Sequence, residues 1–184
     1  MIRITRRHFV MAAAALPLAA CGNGINGNGA STIDARVAST LDFMYDTYPG
    51  TTDLRDKAAG VLVMPLVTEA GLGLGGSFGR GALQVGGTTV DYYSATSGSA
   101  GLQIGAQQYS HVLFFMTESA LADFRSSMGW AAGANLQYVA ADQGEILRAE
   151  TITSLAPVIA VVFAQSGLRI GATLEGTKYT RIIP

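Results

Sequence analysis

The sequence is poor in the side chains that most often build catalytic and metal sites. Its 184 residues include one cysteine, Cys21, and two histidines, His8 and His111. A single cysteine excludes an intramolecular disulfide. If His8 is removed with a leader, the remaining histidine and cysteine are too few for a zinc site with His and Cys ligands. We therefore expect no metal and no other cofactor, and we assign no catalytic residue.

Charge is also sparse, because only 14% of the residues are charged whereas 49% are hydrophobic. This composition supplies enough apolar material for one domain with a core of its own. Three of the basic residues precede Cys21, so the net charge falls from −1 for the whole sequence to −4 for the part that follows them. An acidic domain lacks the cations that bind a phosphate backbone. Nucleic acid is therefore not an expected partner.

Residues 1–20 have the three parts of a secretory signal peptide. Arginines make the start basic, and residues 9–20 form an apolar run that is too short to span a bilayer. Leu18-Ala19-Ala20-Cys21 is typical of a lipobox, which predicts cleavage before Cys21 and lipid attachment to its thiol. The alternative is an ordinary signal peptide with a chance cysteine.

The segment Thr5-Arg6-Arg7-His8-Phe9-Val10 is similar to the twin-arginine export consensus. Arg6 and Arg7 are thus the predicted export signal, unless the pair supplies only positive charge. Gly22 stands where an aspartate would favour inner-membrane retention, so we expect a lipid-anchored protein of the cell envelope, at the outer membrane and facing the periplasm. Residues 21–31 are rich in glycine and asparagine and predict a flexible tether.

Residues 32–184 predict a single α+β domain with a strongly curved, largely antiparallel, barrel-like sheet and a few covering helices. Helices are expected over residues 33–48, capped by Ser31 or Thr32, and over 52–59. A further helix is expected after an N-cap at Thr117, with Leu121, Phe124 and Met128 on one face and an end at Gly129. The strands expected from alternation and apolar runs, with a hairpin turn at Gly86-Gly87, are 60–65, 71–75, 82–85, 90–95, 101–106, 112–116, 131–140, 158–164, 168–174 and 179–183.

Three patterns could carry chemistry, and each has a plainer interpretation. Gly71-x-Gly73-x-x-Gly76 has the spacing of a dinucleotide fingerprint, but no helical pattern follows it, which favours a strand with glycines on one face. His111 lies among strand residues and is expected to be structural. A carboxylate pair suited to glycoside hydrolysis could be drawn from Glu69, Asp91, Glu118 and Glu175.

Several segments between residues 57 and 182 resemble, in collinear order, the SYLF domain family of lipid-binding modules. This family occurs in bacterial exported proteins and in eukaryotic membrane-trafficking and actin-regulating proteins. The matching segments are 57–65 (KAAGVLVMP), 70–76 (AGLGLGG), 101–107 (GLQIGAQ), Phe115-Met116 with Ala120, Leu121 and Phe124, and 167–172 (GLRIGA).

The resemblance implies that the domain binds membrane phospholipid, notably phosphoinositide, and is not an enzyme. The candidate headgroup contacts are Lys57, Arg80 and Arg169. Leu41 and Tyr45, in the apolar stripe of the first helix, are candidate membrane contacts unless that stripe is ordinary core. Aspartates on the polar face of this helix argue against strong attraction to phosphoinositides, because membrane-binding helices carry Lys and Arg there.

Two other functions stay open at this point. One is an envelope enzyme that acts on glycan or lipid through a carboxylate pair. The other is a structural lipoprotein whose sheet holds a protein partner, which the sequence does not identify. Actin is not an expected partner of a protein that a bacterium exports.

Overall fold

The computed structural model describes residues 28–133, 136–140, 156–163, 174 and 176–184. Within these ranges the chain forms three helices and one sheet of six strands. The helices are α1 (Gly29–Thr47), α2 (Thr51–Lys57) and α3 (Glu118–Ser126). The strands are β1 (Gly60–Val85), β2 (Thr88–Phe115), β3 (Trp130–Ala131), β4 (Leu136–Ala140), β5 (Val158–Phe163) and β6 (Lys178–Ile182).

One long hairpin dominates the sheet. Strands β1 and β2 pair antiparallel from Gly60↔Phe115 to Val85↔Thr88. Gly86 and Gly87 connect them with φ of 58° and 77°. Positive φ at both central residues is the requirement of a type I′ turn, which glycine meets without steric cost. The predicted turn is confirmed, and the short strands expected on either side of it are parts of two continuous strands.

The remaining strands attach to the two halves of β2. Strand β6 pairs antiparallel with residues 92–96 of β2, and β5 pairs antiparallel with residues 110–115. Strand β3 extends the sheet beyond β6, and β4 extends it beyond β5 in the one parallel pairing among the described strands. The result is a strongly curled half-barrel, so the predicted α+β fold with a curved, largely antiparallel sheet is confirmed.

The curl brings the two ends of β1 against each other. A Cβ placed on Gly81 would overlap the carbonyl oxygen of Val63, and one on Gly79 would lie 2.8 Å from the carbonyl oxygen of Leu66. Any larger residue at these two positions would push the backbone of β1 away from itself. Glycine therefore permits the close approach on which the curvature depends.

Alternating side chains give the sheet a hydrophobic cluster on each face. On the face covered by α3, the cluster includes Leu62, Met64, Leu83, Tyr93, Leu113, Phe115, Leu121, Phe124 and Tyr179. On the face covered by α1 and α2, it includes Ile33, Val37, Met44, Leu54, Val61, Val63, Val112, Phe114, Ile159 and Phe163. Both faces of the central strands are thus buried, and functional surface must lie where the helices leave the sheet open.

Four local predictions were wrong. Helix α1 begins at Gly29, within the segment predicted as tether, and the hydroxyls of Ser31 and Thr32 donate to the carbonyl of Asn28 instead of capping the helix. Strand β1 continues through Pro65. The segment 131–140 contains two separate strands. Helix α3 ends at Ser126, so Met128 is 96% exposed and does not continue its apolar face.

Pro65 fits inside a strand because the pairing is irregular there. The register of β1 against β2 shifts between Met64 and Val67, so the missing N–H of Pro65 falls where the ladder is already interrupted. Its carbonyl accepts a hydrogen bond of 2.7 Å from the Ser110 hydroxyl. The proline thus occupies a bulge and does not end the strand.

Candidate functional site

A groove of about 430 Å³ opens between α1 and the bulge of β1. Its lining residues are Ala35, Arg36, Ser39, Thr40, Pro65 and Leu66. Arg36 is exposed and supplies the charge of the described lining. The other lining groups are hydroxyls and small or medium apolar side chains. This combination of one cation with apolar walls suits an amphiphilic ligand that carries a negative charge.

An aromatic and cationic pair lies beside this groove on β1. A Cβ added to Gly79 would lie 2.8 Å from the carbonyl oxygen of Leu66, a residue of the groove lining, and Phe78 and Arg80 flank that glycine in sequence. Because residues two apart on a strand point to the same face, these two side chains project together from the sheet. The Arg80 guanidinium lies 5.8 Å from the centroid of the Phe78 ring, and this ring is 50% exposed. An exposed aromatic ring under a guanidinium is an amphipathic surface element.

The start of α1 is fixed to the sheet close to this pair. The carboxylate of Asp34 accepts hydrogen bonds from the Tyr92 hydroxyl at 2.8 Å and the Thr89 hydroxyl at 3.0 Å. Burial, together with the hydrogen bond to Asp34, raises the pKa of Tyr92 to about 12. A neutral tyrosine at physiological pH therefore keeps donating to the carboxylate. Asp34 thus adds negative charge to α1 and also positions the helix on β2.

The apolar stripe of α1 lies mainly in the core. Ile33, Val37 and Met44 are buried, whereas Leu41 and Tyr45 are partly buried against the same hydrophobic cluster. Burial raises the pKa of Tyr45, and the guanidinium of Arg55 lies 5.0 Å from its ring centroid. Leu41 and Tyr45 therefore offer only part of their surface to a membrane, and their role as membrane contacts stays a prediction.

The predicted cations fall in different places. Arg80 is exposed beside Gly79, close to but not part of the described lining of the groove, whereas Lys57 is exposed at the end of α2. Arg169 and the leader residues Arg6, Arg7 and Cys21 lie outside the described residues. The structure therefore brings one of the three predicted headgroup contacts close to the groove.

Phe78, Lys178 and Arg36 were not identified from the sequence as candidate site residues. The pattern Phe78-x-Arg80 could have suggested a shared face, but which face is exposed depends on the covering helices. Lys178 of β6 lies in the same cross-strand row as Phe78, because Phe78 pairs with Thr96 of β2 and Thr96 pairs with Lys178. No local pattern in the sequence predicts that these residues of three different strands lie side by side.

His111 is completely buried within the sheet. Its Nε2 lies 2.8 Å from the hydroxyl of Tyr179, and its Nδ1 has no hydrogen-bond partner among the described residues. Burial lowers the pKa of His111 to about 3, so the ring is neutral at physiological pH. The expected structural role agrees with this position, since a group sealed in the core cannot serve as the base of a solvent-facing triad.

The other sequence motifs also have structural positions. The glycines of the dinucleotide-like pattern lie within β1, so the strand interpretation is confirmed. Asp91 accepts from Arg125 at 3.3 Å and from Arg181 at 3.2 Å, which makes it the centre of an ion-pair cluster. Across the described parts of the chain, no three His, Cys, Asp or Glu residues group as a metal site. The described helices include none long and apolar enough to cross a bilayer.

A protein-family model matches part of the chain. The family model Ysc84, described as a Las17-binding protein actin regulator, matches residues 96–181. This segment runs from the middle of β2 to β6 and includes α3 and β5. It covers the second part of the stretch whose segments resemble the SYLF family. No curated protein matches the sequence significantly.

Proposed function

The chain belongs to the SYLF (Ysc84) domain family through residues 96–181, and we propose that it is an exported, lipid-anchored envelope protein whose domain binds phospholipid without catalysis. The observations that carry this proposal are the groove that contains Arg36 and the exposed Phe78–Arg80 pair, which flanks a glycine close to Leu66 of the groove lining. Two guanidiniums supply charge for a phosphate, and the apolar walls and the exposed ring supply surface for the adjoining acyl chains.

The family description refers to Las17 and actin. We do not extend that activity to this chain, because a protein carrying the leader and lipobox of residues 1–21 would leave the cytoplasm. We propose instead that the chain shares the lipid binding implied by its resemblance to the SYLF family, because an envelope protein is in contact with membrane lipid. Cys21 would hold the protein at the membrane through its acyl chains, and the domain would then meet phospholipid at high local concentration.

A non-catalytic role agrees with the chemistry of the described residues. The single histidine of the mature chain is enclosed in the core. Asp91, one of the carboxylates considered for hydrolysis, is engaged by two guanidiniums. A carboxylate that works as a general acid needs access to substrate, whereas the Asp91 side chain is only 14% exposed and pairs with both cations.

Vesicle flotation tests the proposal. The protein is the mature chain, residues 21–184, with Cys21→Ser so that the anchor does not hide binding by the domain. The vesicles contain phosphatidylethanolamine and phosphatidylglycerol. We expect the protein to float with them, and we expect Arg36→Gln and Arg80→Gln each to weaken binding. Arg55→Gln is the matched control, because Arg55 is also exposed but pairs with Asp56 at 2.8 Å on α2.

Failure of the parent protein to float would refute phospholipid binding by the domain. Equal loss of binding with Arg55→Gln would show that the groove has no special role and that only total charge matters. Release of product from lipid or peptidoglycan by the purified protein, abolished by Glu69→Gln or Asp91→Asn, would favour the enzymatic alternative.

A further inference from the structure

One outer surface of the sheet lies beyond the cover of α1. On this side, Ala82 and Tyr92 still pack with the α1 cluster. The next outward positions are Arg80, paired with Ser94, and then Phe78, paired with Thr96. Arg80, Phe78 and Thr96 are all exposed. The protection that α1 gives this face therefore ends between Ala82 and Arg80.

The exposed surface formed by Phe78, Arg80 and Thr96 continues onto strand β6. Lys178 pairs with Thr96 and is exposed, so Phe78, Thr96 and Lys178 form a row across three strands. At the usual strand spacing, the backbones of Phe78 and Lys178 lie about 10 Å apart. We call Phe78, Arg80, Thr96 and Lys178 the outer patch. It combines one aromatic ring with two cations, although the mature chain as a whole is acidic.

The lipid-bearing segment would enter the domain at the other end of β6 from Lys178. A Cβ on Gly29, the first residue of α1, would come within 2.9 Å of Pro184, which lies two residues beyond β6. Ile182 of β6 pairs with Tyr92, two residues before Ser94. The start of α1 is thus held just beyond the end of β6, about 20 Å along the extended strand from Lys178.

The length of the preceding segment limits how far the domain could be from its anchor. Cys21 precedes Gly29 by eight residues. Eight residues span at most about 26–29 Å when fully extended. A lipid on Cys21 would therefore hold the start of α1 within that distance of the bilayer, which lets the outer patch, about 20 Å along β6 from Pro184, rest on it.

We propose that the outer patch is the surface on which the anchored domain rests against an anionic phospholipid bilayer. This inference rests on the proposed function and adds the orientation of the domain. Phe78 would enter the interfacial region, while Arg80 and Lys178 would meet lipid phosphates with their stems along apolar surface.

The orientation is tested with an environment-sensitive fluorophore on a single cysteine. The parent is the mature chain with Cys21→Ser, and the label is placed at Phe78→Cys, at Lys178→Cys or at Ala122→Cys. Ala122 is an exposed control on α3, which covers the opposite face of the sheet. With vesicles of phosphatidylethanolamine and phosphatidylglycerol, we expect a blue shift and stronger emission from labels at positions 78 and 178. The label at position 122 should stay unchanged.

Charge variants give a second, independent measurement. Without any label, Arg80→Gln and Lys178→Gln should each lower vesicle partitioning about fivefold, as expected for one cation near an anionic surface. Arg125→Gln, on α3, should lower it less. These exposed positions are not part of either hydrophobic cluster, so circular dichroism should confirm an unchanged fold.

The failures of the two proposals are distinguishable. If the parent protein does not float, phospholipid binding by the domain is refuted. If it floats but the label responds at position 122 and not at positions 78 and 178, binding stands and the orientation is overturned. The orientation is also overturned if Arg125→Gln reduces partitioning as much as Arg80→Gln does.

Discussion

The Nε2 atom of His111 lies 2.8 Å from the hydroxyl of Tyr179, and both side chains are buried in the core. The contact joins β2 to β6 across 68 positions of sequence. It gives the protein a built-in sensitivity to acid, because protonation of the histidine would place an uncompensated charge inside an aromatic cluster.

The sign of this sensitivity follows from the depressed pKa of about 3 in the fold. An unfolded histidine has its ordinary pKa of about 6.5 and binds a proton that the folded protein excludes. Between these values, His111 should lower the free energy of unfolding by up to about 1.4 kcal/mol for each pH unit of acidification. Above about pH 6.5 its contribution should not vary.

Replacement of His111 by leucine checks this prediction. Urea denaturation between pH 4 and pH 7 should give a shallower decline of stability for His111→Leu than for the parent, whatever the absolute stability of the variant. Parallel declines would contradict the prediction and would assign the acid sensitivity to carboxylates.

A second prediction concerns the crossing of β1 upon itself. Gly81→Ala should lower the free energy of unfolding by about 3 kcal/mol or more, because the added methyl overlaps the backbone carbonyl of Val63, which cannot rotate away. Gly98→Ala is the matched control, since nothing lies within 4 Å of the Cβ position there and φ is not positive. Its stability should stay within about 1 kcal/mol of the parent. Similar thermal midpoints for Gly81→Ala and Gly98→Ala would contradict the close approach of Gly81 to the Val63 carbonyl.

A third prediction concerns the start of α3. The Thr117 hydroxyl accepts a hydrogen bond of 3.2 Å from the backbone N–H of Ala120, as the predicted N-cap requires. Thr117→Ala should cost about 1 kcal/mol in chemical denaturation. Thr117→Ser retains the accepting oxygen and should preserve most of the stability. Equal losses in both variants would assign the effect to the methyl group of threonine.

The anchor is tested in cells. Cys21→Ser should abolish metabolic labelling with palmitate and release the protein from membranes or leave its leader uncut. No other cysteine is present to take over the role. Labelling that persists in the variant would exclude Cys21 as the lipidation site.

A test of the export route requires substitutions that keep the positive charge of the leader. Arg6→Lys with Arg7→Lys preserves the positive start of the leader but removes the twin-arginine pattern. We expect the protein to accumulate in its uncut form in the cytoplasm. Unchanged processing and export would show that the general secretory pathway accepts this leader.

The elements that could be predicted from sequence are those whose signals are local. Gly86-Gly87 between alternating segments specified the hairpin turn, and Thr117 before an apolar helical face specified the start of α3. The end wrongly assigned to the strand at Pro65 has a non-local cause. The bulge that accommodates the proline exists because β2 lies opposite, with Ser110 donating to the freed carbonyl.

The candidate site was less predictable for the same reason. Arg80 was identified as a cation worth testing, but its neighbours depend on the curl of β1 and on the position of α1. Lys178 joins the outer patch only through the pairing of β6 with a residue more than 80 positions earlier. Leu41 and Tyr45 have the spacing of a membrane-binding stripe, yet the same spacing serves a helix that packs on a sheet.

The pairing of β6 with β2 also has a consequence for the timing of synthesis. The β1–β2 hairpin can zip outward from Gly86-Gly87 while the ribosome is still translating, since each new pair closes only a small additional loop. The contact of Tyr179 with Ala95 and His111 requires a chain that has been made almost to residue 182. Until then, one side of β2 keeps unpaired N–H and C=O groups that invite aggregation. A translocase that admits only finished folds would therefore receive this protein only after β6 has paired with β2, so the closing of that strand would decide when export can begin.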